Sequence, residues 1–327
     1  MSSPVEVIIN ASAGSDDKHA LRDQLAETLR AAGLDARLTL ARGGNELMES
    51  AERAARDGCE RVVAGGGDGT ISTVAALLAG TDKVLAVLPL GTLNHFAKDL
   101  GLPLELEAAA RVAATGRVVR VDVGEVNGRV FINNSSIGLY PRLVRRRQQQ
   151  QDRLGRGKWA AFLFAGLSVL RRYPFLDVRL EADGRTFSRR TPFVFVGNNE
   201  YLMDGLQIGA RARLDAGRLS LYVTHRTGRW GLLLLALRAL TGRLSEARDF
   251  DALSAREITI ETRRRKQRLR VATDGEVTVM RTPLHYRVRP GDLRVVVPSE
   301  RSQESSEGSQ QSGVRSQNED SGSYSGS

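Results

Sequence analysis

Apolar and polar positions fall into two successive textures along the 327 residues. Up to about Val123, short continuous apolar runs alternate with stretches whose apolar residues recur every three or four positions. "VEVIIN" (5–10) is apolar and β-branched, and residues 16–33 then set Leu21, Leu25 and Leu29 four apart, with Asp16 placed to cap a helix and Gly33 to stop it. "ARLTL" (36–40), "ELMESAERAARDG" (46–58), "RVVAG" (61–65), "TISTVAALLAG" (70–80) and "VLAVLPLG" (84–91) continue the alternation. Repeated strand–helix units with continuous apolar strands predict a parallel sheet covered on both faces.

Beyond Val123 the pattern becomes strand-like pieces divided by turn residues: "EVNGRVFINN", "LDVRLEADGRTFSRR", "TPFVFVGNN", "GRLSLYVTHR", "REITIETRR", "QRLRVATDGEVTVM" and "LRVVVP". Asn127-Gly128 and Asp183-Gly184 are hairpin signals, so this half reads as mainly antiparallel β. Two helical candidates interrupt it, at 157–172 and 229–243. Residues 299–327 are rich in Ser, Gln, Gly and Glu, with too little apolar content to offset the entropy of folding, and are expected to be disordered. Single cores stop growing near roughly 250–300 residues. The predicted organisation is therefore an α/β fold in two parts, a parallel-sheet domain over 1–123 and a β-sandwich domain over 124–298 whose end packs back on the first, followed by the tail.

Composition narrows the setting. Cys59 is the single cysteine, which excludes an internal disulfide framework, and no Cys/His group has zinc-like spacing. The first residues lack the basic and apolar blocks of a signal peptide, and no apolar run approaches the ~20 residues a bilayer span needs. A cytoplasmic protein is expected. Net charge is +10, with the tail at −3 and the remainder at +13, a balance suited to anionic partners. Five lysines against 43 arginines mark a compositional bias, so an individual arginine counts for little.

The chemistry concentrates in "RVVAGGGDGT" (61–70). A strand running into a glycine turn that opens a helix exposes backbone N–H groups and the positive helix end, a seat for phosphate. On that reading Gly66, Gly67 and Gly69 make room, Thr70 donates a hydroxyl, and Asp68 calls for a Mg²⁺ or an ordered water between itself and the phosphate. A tight strand–helix turn with no ligand would use the same glycines. GxxxxGK[ST] is absent, which excludes a P-loop.

With "LPLGTLNHFAKDLGLP" (88–103), the glycine motif resembles the diacylglycerol kinase catalytic-domain family, which includes bacterial lipid kinases and sphingosine kinases; "GGDGT" alone is shared with NAD kinases. The resemblance extends through "RVDVGEVNGRVFINNSSIG" (120–138), "GNNEYLMDGLQIGARARLDAGRLSLYV" (197–223) and "VATDGEV" (271–277). It implies a kinase that uses ATP and Mg²⁺ to phosphorylate the hydroxyl of diacylglycerol or a related lipid alcohol. Position by position, it implies that Gly66 to Thr70 hold phosphates, that Thr92 and Asn94 line the nucleotide site with Asn10 nearby, and that Glu276 is the general base. Asp122 joins Asp68 in a carboxylate and water network around the metal. Without the resemblance, Glu276 is a solvated residue beside an Asp-Gly turn and Asp122 a strand-end aspartate.

Two departures stand out. The usual block reads GTxNDFA, and His95 replaces its aspartate, removing an acid from the presumed metal network. In "RLDAGRL" (213–219) Ala216 takes the place of a structural Mg²⁺ ligand, leaving Asp215 as the candidate there. Alternatives therefore stay open: an NAD kinase-like phosphotransferase, or a non-catalytic lipid or nucleotide sensor. The helices at 157–172 and 229–243, basic-flanked and apolar, are placed either as core or as peripheral contacts with the inner face of the membrane. "RRRKQR" (263–268) lacks interleaved aromatics, so no nucleic-acid partner is expected; a homodimer stays open.

Overall fold

The continuous apolar runs of the first half become four parallel strands because strands buried on both faces have no polar side to alternate. The computed structural model describes residues 5–10, 18–138, 175–202, 210–224, 250–262 and 268–299. Its first half runs β1 (Val5–Asn10), α1 (Lys18–Ala31), β2 (Ala36–Ala41), α2 (Gly44–Arg56), β3 (Arg61–Gly66), α3 (Asp68–Leu78), β4 (Val84–Pro89), α4 (His95–Asp99) and α5 (Leu106–Thr115). The parallel order is β2-β1-β3-β4. Helix α1 packs on α5 and α2 on α3, two pairs that right-handed crossovers set on opposite faces. Helix α3 begins at Asp68, two residues before the periodicity suggests, so Asp68 is a first-turn helical residue rather than part of a loop. Helices α4 and α5 have no counterpart in the sequence reading.

The second half runs β5 (Arg117–Val126), β6 (Arg129–Phe131), β7 (Asn134–Gly138), β8 (Leu176–Ala182), β9 (Arg185–Thr191), β10 (Phe193–Asn198), β11 (Leu219–Thr224), β12 (Phe250–Ala255), β13 (Glu257–Thr262), β14 (Arg268–Thr273), β15 (Glu276–Arg281) and β16 (Leu284–Val297). Six of these strands form an antiparallel sheet, β12-β11-β10-β7-β14-β15. The others extend the parallel sheet to ten strands through β16, which pairs parallel with β4 and antiparallel with β5 and β13. The two antiparallel regions enclose a core that includes Phe131, Ile137, Val196, Leu221, Ile258, Val271 and Tyr286. Three turns, Asn127-Gly128, Asp183-Gly184 and Asp274-Gly275, carry positive φ at both residues (46° and 83°, 44° and 80°, 48° and 85°), the type I′ geometry that follows strand twist.

The helical candidates at 157–172 and 229–243 lie outside the described residues, as does the tail beyond Ser299. Among the described residues no helix is long and apolar enough to cross a membrane.

Candidate active site

Each glycine of the turn after β3 answers to a different neighbour. A Cβ on Gly65 would strike the Ile9 side chain of β1; one on Gly66, whose φ is +155°, would meet Thr70 Oγ1 at 2.6 Å. Across the turn, a Cβ on Gly91 would reach Gly67 Cα at 2.5 Å, so these two glycines let the turn and the 89–94 loop touch. Gly69 differs: its φ is not positive and a Cβ there would meet nothing within 4 Å. A glycine inside a helix costs about 1 kcal/mol relative to alanine. No internal contact requires a glycine there.

No side chain caps α3, whose N-cap is Gly67, and the Thr70 and Ile71 amides both turn back to the Gly67 carbonyl (2.9 and 3.1 Å). Asp68 sits in the first turn, where its charge complements the helix dipole. Thr70 is buried and its hydroxyl accepts a hydrogen bond from Asn10 Nδ2 at 3.1 Å, tying the end of β1 to the turn. Asn10, Gly66, Gly67, Asp68, Gly69 and Thr70 are thus brought together.

The second motif is built by Asn94. In a left-handed conformation (φ 52°), it accepts the Gly91 N–H through Oδ1 at 3.0 Å and donates through Nδ2 to the Gly91 and Pro89 carbonyls (2.9 and 3.2 Å). The Asn94 amide therefore shapes its own loop and presses Gly91 onto Gly67, while Thr92 and His95 are exposed on the rim.

The far wall comes from the sandwich. Helix α3 packs against β6, and Ser72, one turn beyond Asp68 on the same helix face, stands beside the carboxylate of Asp274 without reaching hydrogen-bond geometry. The Asp274 carboxylate accepts three backbone N–H groups, from Ile132 (2.8 Å), Asn133 (2.9 Å) and Asn134 (3.0 Å). Burial pushes its carboxyl above the usual range, and these N–H bonds pull against that rise. Two residues on, Glu276 is exposed and held by an ion pair with Arg129 of β6. The turn that presents Glu276 is thereby fixed to the strand on which α3 rests. Asp274 and Arg129 escape sequence reasoning: Asp-Gly reads as a turn, and nothing local says that the aspartate side chain also serves a strand some 140 residues away.

Asp122 has a different employment from the metal and water network implied for it. It is buried, Oδ2 accepts the Gly217 N–H at 2.6 Å and Oδ1 the Gly291 N–H at 2.9 Å, so it pins the irregular step of β16 to the 214–217 turn. Asp215 is exposed and hydrogen-bonded to Arg213 Nε at 3.0 Å, which holds its carboxyl below the usual range. Among the described residues no group of three or more His, Cys, Asp or Glu side chains is placed to hold a metal ion. Asp68 is the one carboxylate in the first turn of uncapped α3, and Mg²⁺ commonly takes only one or two carboxylates, filling its shell with phosphate oxygens and water.

A buried cation joins the two halves behind the 89–94 loop. Arg211 Nε donates to Asp99 Oδ2 at 2.8 Å, its Nη1 to the Ile132 and Asn198 carbonyls (2.6 and 3.2 Å), and its Nη2 to Asn133 Oδ1 at 2.8 Å. Asp99 ends α4 and Asn133 leads into β7, so the motif helix and the strand that anchors Asp274 share one guanidinium.

Comparison with known proteins bears on both halves of the chain. Residues 4–126 match the diacylglycerol kinase catalytic domain, and residues 141–297 the YegS C-terminal NAD kinase beta sandwich-like domain. A Pseudomonas syringae protein named "probable lipid kinase YegS-like" is 32% identical over 272 residues, 82% of this chain and 85% of its own. A diacylglycerol kinase of Staphylococcus carnosus is 28% identical over 225 residues, 67% of this chain and 72% of its own. The crystal structure of a diacylglycerol kinase from Bacillus anthracis shares the fold with a TM-score of 0.66 at 24% identity, covering 90% of this chain and 97% of that one.

Proposed function

The chain belongs to the diacylglycerol kinase catalytic-domain family, and from that premise we propose that it is a lipid kinase transferring the γ-phosphoryl group of ATP to the hydroxyl of diacylglycerol or a related lipid alcohol at the inner face of the membrane. One observation carries the reading: the uncapped, glycine-bare start of α3 and the turn that presents Glu276 are held against each other through β6 and the Ser72–Asp274 approach. A phosphate seat on one wall and an exposed carboxylate on the other is what the transfer requires.

In this scheme the N–H groups at the start of α3 bind the phosphates, with Gly69 leaving the backbone open to them. The Glu276 carboxylate, oriented by Arg129, takes the proton of the lipid hydroxyl. The hydroxyl oxygen bonds to the γ-phosphorus as the bond from that phosphorus to the bridging oxygen breaks, and ADP leaves with the electron pair. Asp68 is the residue that would hold Mg²⁺, which supplies neutralisation of phosphate charge when bound. Asn94 and Asp122 act by holding loops rather than by touching the reacting atoms.

A second reading rests on His95, exposed at the first position of α4 where the family pattern has an aspartate: a nucleotide or lipid sensor without turnover. Labelled ATP with Mg²⁺ and mixed micelles of candidate lipid alcohols separates the two. Label entering lipid in the wild type but not in Glu276→Gln supports the kinase. Label entering NAD instead, or no lipid at any concentration while ATP still binds, replaces it.

A further inference from the structure

The basic run at 263–268 plays no part in the site above, and its one described member, Arg268, opens the β14–β15 hairpin. Register sets Arg268 opposite Arg281, Arg270 opposite Val279 and Ala272 opposite Val277. Leu269 and Val271 belong to the core between the sheets, so strand alternation puts Arg268, Arg270, Arg281 and Val279 together on the opposite face. All four are exposed, and Val279, at 61%, is the most exposed large apolar side chain among the described residues. β15 is the edge of its sheet.

Like charges directly opposite one another on paired strands are destabilising. Among the described residues no carboxylate pairs with Arg268, Arg270 or Arg281. Several arginines elsewhere in the sandwich are paired: Arg287 and Arg289 share Glu125, Arg189 meets Asp251, and Arg218 meets Asp183. Arg179, Arg185 and Arg256 likewise have no carboxylate partner among the described residues, but they are scattered singly, whereas the hairpin face sets three such guanidiniums beside an exposed valine. The same hairpin ends at the turn carrying Asp274 and Glu276; six-residue strands at roughly 3.3 Å per residue set its open end about 17–20 Å from that turn.

We propose that this outer face of the β14–β15 hairpin is a docking surface for an anionic lipid bilayer, the three guanidiniums engaging headgroup phosphates and Val279 entering the boundary with the acyl chains. The proposal rests on the lipid-kinase reading, under which a bilayer is the source of the acceptor, and it sets the membrane on the element that presents the general base. Guanidinium forks suit phosphate oxygens, and each basic residue at an anionic surface is worth about fivefold in partitioning.

The test is co-sedimentation of the full chain with unilamellar vesicles, without nucleotide, at about 0.1 M salt where surface charge still acts. Vesicles of phosphatidylcholine with phosphatidylglycerol should bind the wild type, and vesicles of phosphatidylcholine alone should bind it poorly. Arg268→Gln, Arg270→Gln and Arg281→Gln combined should weaken binding roughly a hundredfold, with nucleotide affinity unchanged and the thermal midpoint equal or raised, since the Arg268–Arg281 repulsion is relieved. Should the triple variant not fold, Arg270→Gln alone should lose about fivefold. A matched triple on the α/β half, Arg30→Gln, Arg42→Gln and Arg111→Gln, should bind as the wild type does. Equal loss in both triples, no loss in the hairpin triple, or a hairpin preference for duplex DNA over the anionic vesicles would overturn the proposal. Because binding is read without ATP, a chain that docks through the hairpin yet phosphorylates no lipid supports this surface while sinking the kinase reading.

Discussion

Asp99 and Arg211, 112 residues apart, form a salt bridge whose side chains are 6% and 0% exposed, and every other bond of that guanidinium goes to the sandwich. Removing one partner of a buried pair leaves the other charge uncompensated, at a cost of about 3–5 kcal/mol. Asp99→Ala should lose that much in denaturant unfolding, and Arg211→Lys should also destabilise because an ammonium cannot reproduce the planar fork. A loss below about 1 kcal/mol in both would show that water reaches the site.

Glu276→Gln keeps the shape of the side chain and removes its basicity. Turnover should fall by roughly 10²–10⁴-fold, while the ATP dissociation constant measured by calorimetry stays within twofold of wild type by our estimate. Weakened ATP binding at unchanged turnover would move Glu276 out of the proton-transfer role.

Gly69→Ala adds one methyl where the protein itself has no neighbour. Helix propensity predicts a stability gain of about 0.5–1 kcal/mol. If phosphates seat on that backbone, nucleotide affinity should drop by about tenfold or more while the melting midpoint rises. A more stable variant that binds ATP normally would leave the turn without its ligand.

Burial pushes the Tyr201 phenol up to about 12 from 10.0, against the pull of nearby Arg211, and its hydroxyl donates to the Asn133 carbonyl at 3.0 Å. A raised folded value means the folded state keeps a proton that the unfolded state gives up. The stability linked to this group is complete below pH 10 and is lost as pH rises through the window from 10 to about 12. Alkaline unfolding of Tyr201→Phe should show a shallower decline over that window than wild type; identical slopes would refute the linkage.

His95→Asp restores an acid at the first residue of α4, where a carboxylate also suits the helix dipole. At limiting Mg²⁺ the variant should turn over several-fold faster by the size of such charge effects, with a lower Mg²⁺ requirement in a titration of activity. A variant no faster than wild type at any Mg²⁺ level would show that His95 leaves no deficit.

Much of the fold is legible because it is written locally. Continuous apolar runs give β1, β3 and β4, and Asn127-Gly128 and Asp183-Gly184 give type I′ turns, since each signal spans only a few residues. The glycine turn is likewise written in a few neighbouring residues, whereas Glu276 is singled out only by the family resemblance. What the sequence hides is pairing over distance. Nothing near Asp274 announces the Ile132–Asn134 amides, and nothing near Arg211 announces Asp99. The resemblance implies that Asp122 joins a carboxylate and water network, and nothing near it announces the amides of Gly217 and Gly291 that both its oxygens accept. Short α4 lacks a periodic signal because five residues do not complete two turns.

Strand β16 stitches β4 to β5 and β13, yet it is the last of the described strands to leave the ribosome. During synthesis β4 must wait, one edge open, for more than half the chain to follow. A nascent chain stalled before Leu284 would hold that edge unpaired, and it is there that a chaperone or a second unfinished copy would first take hold.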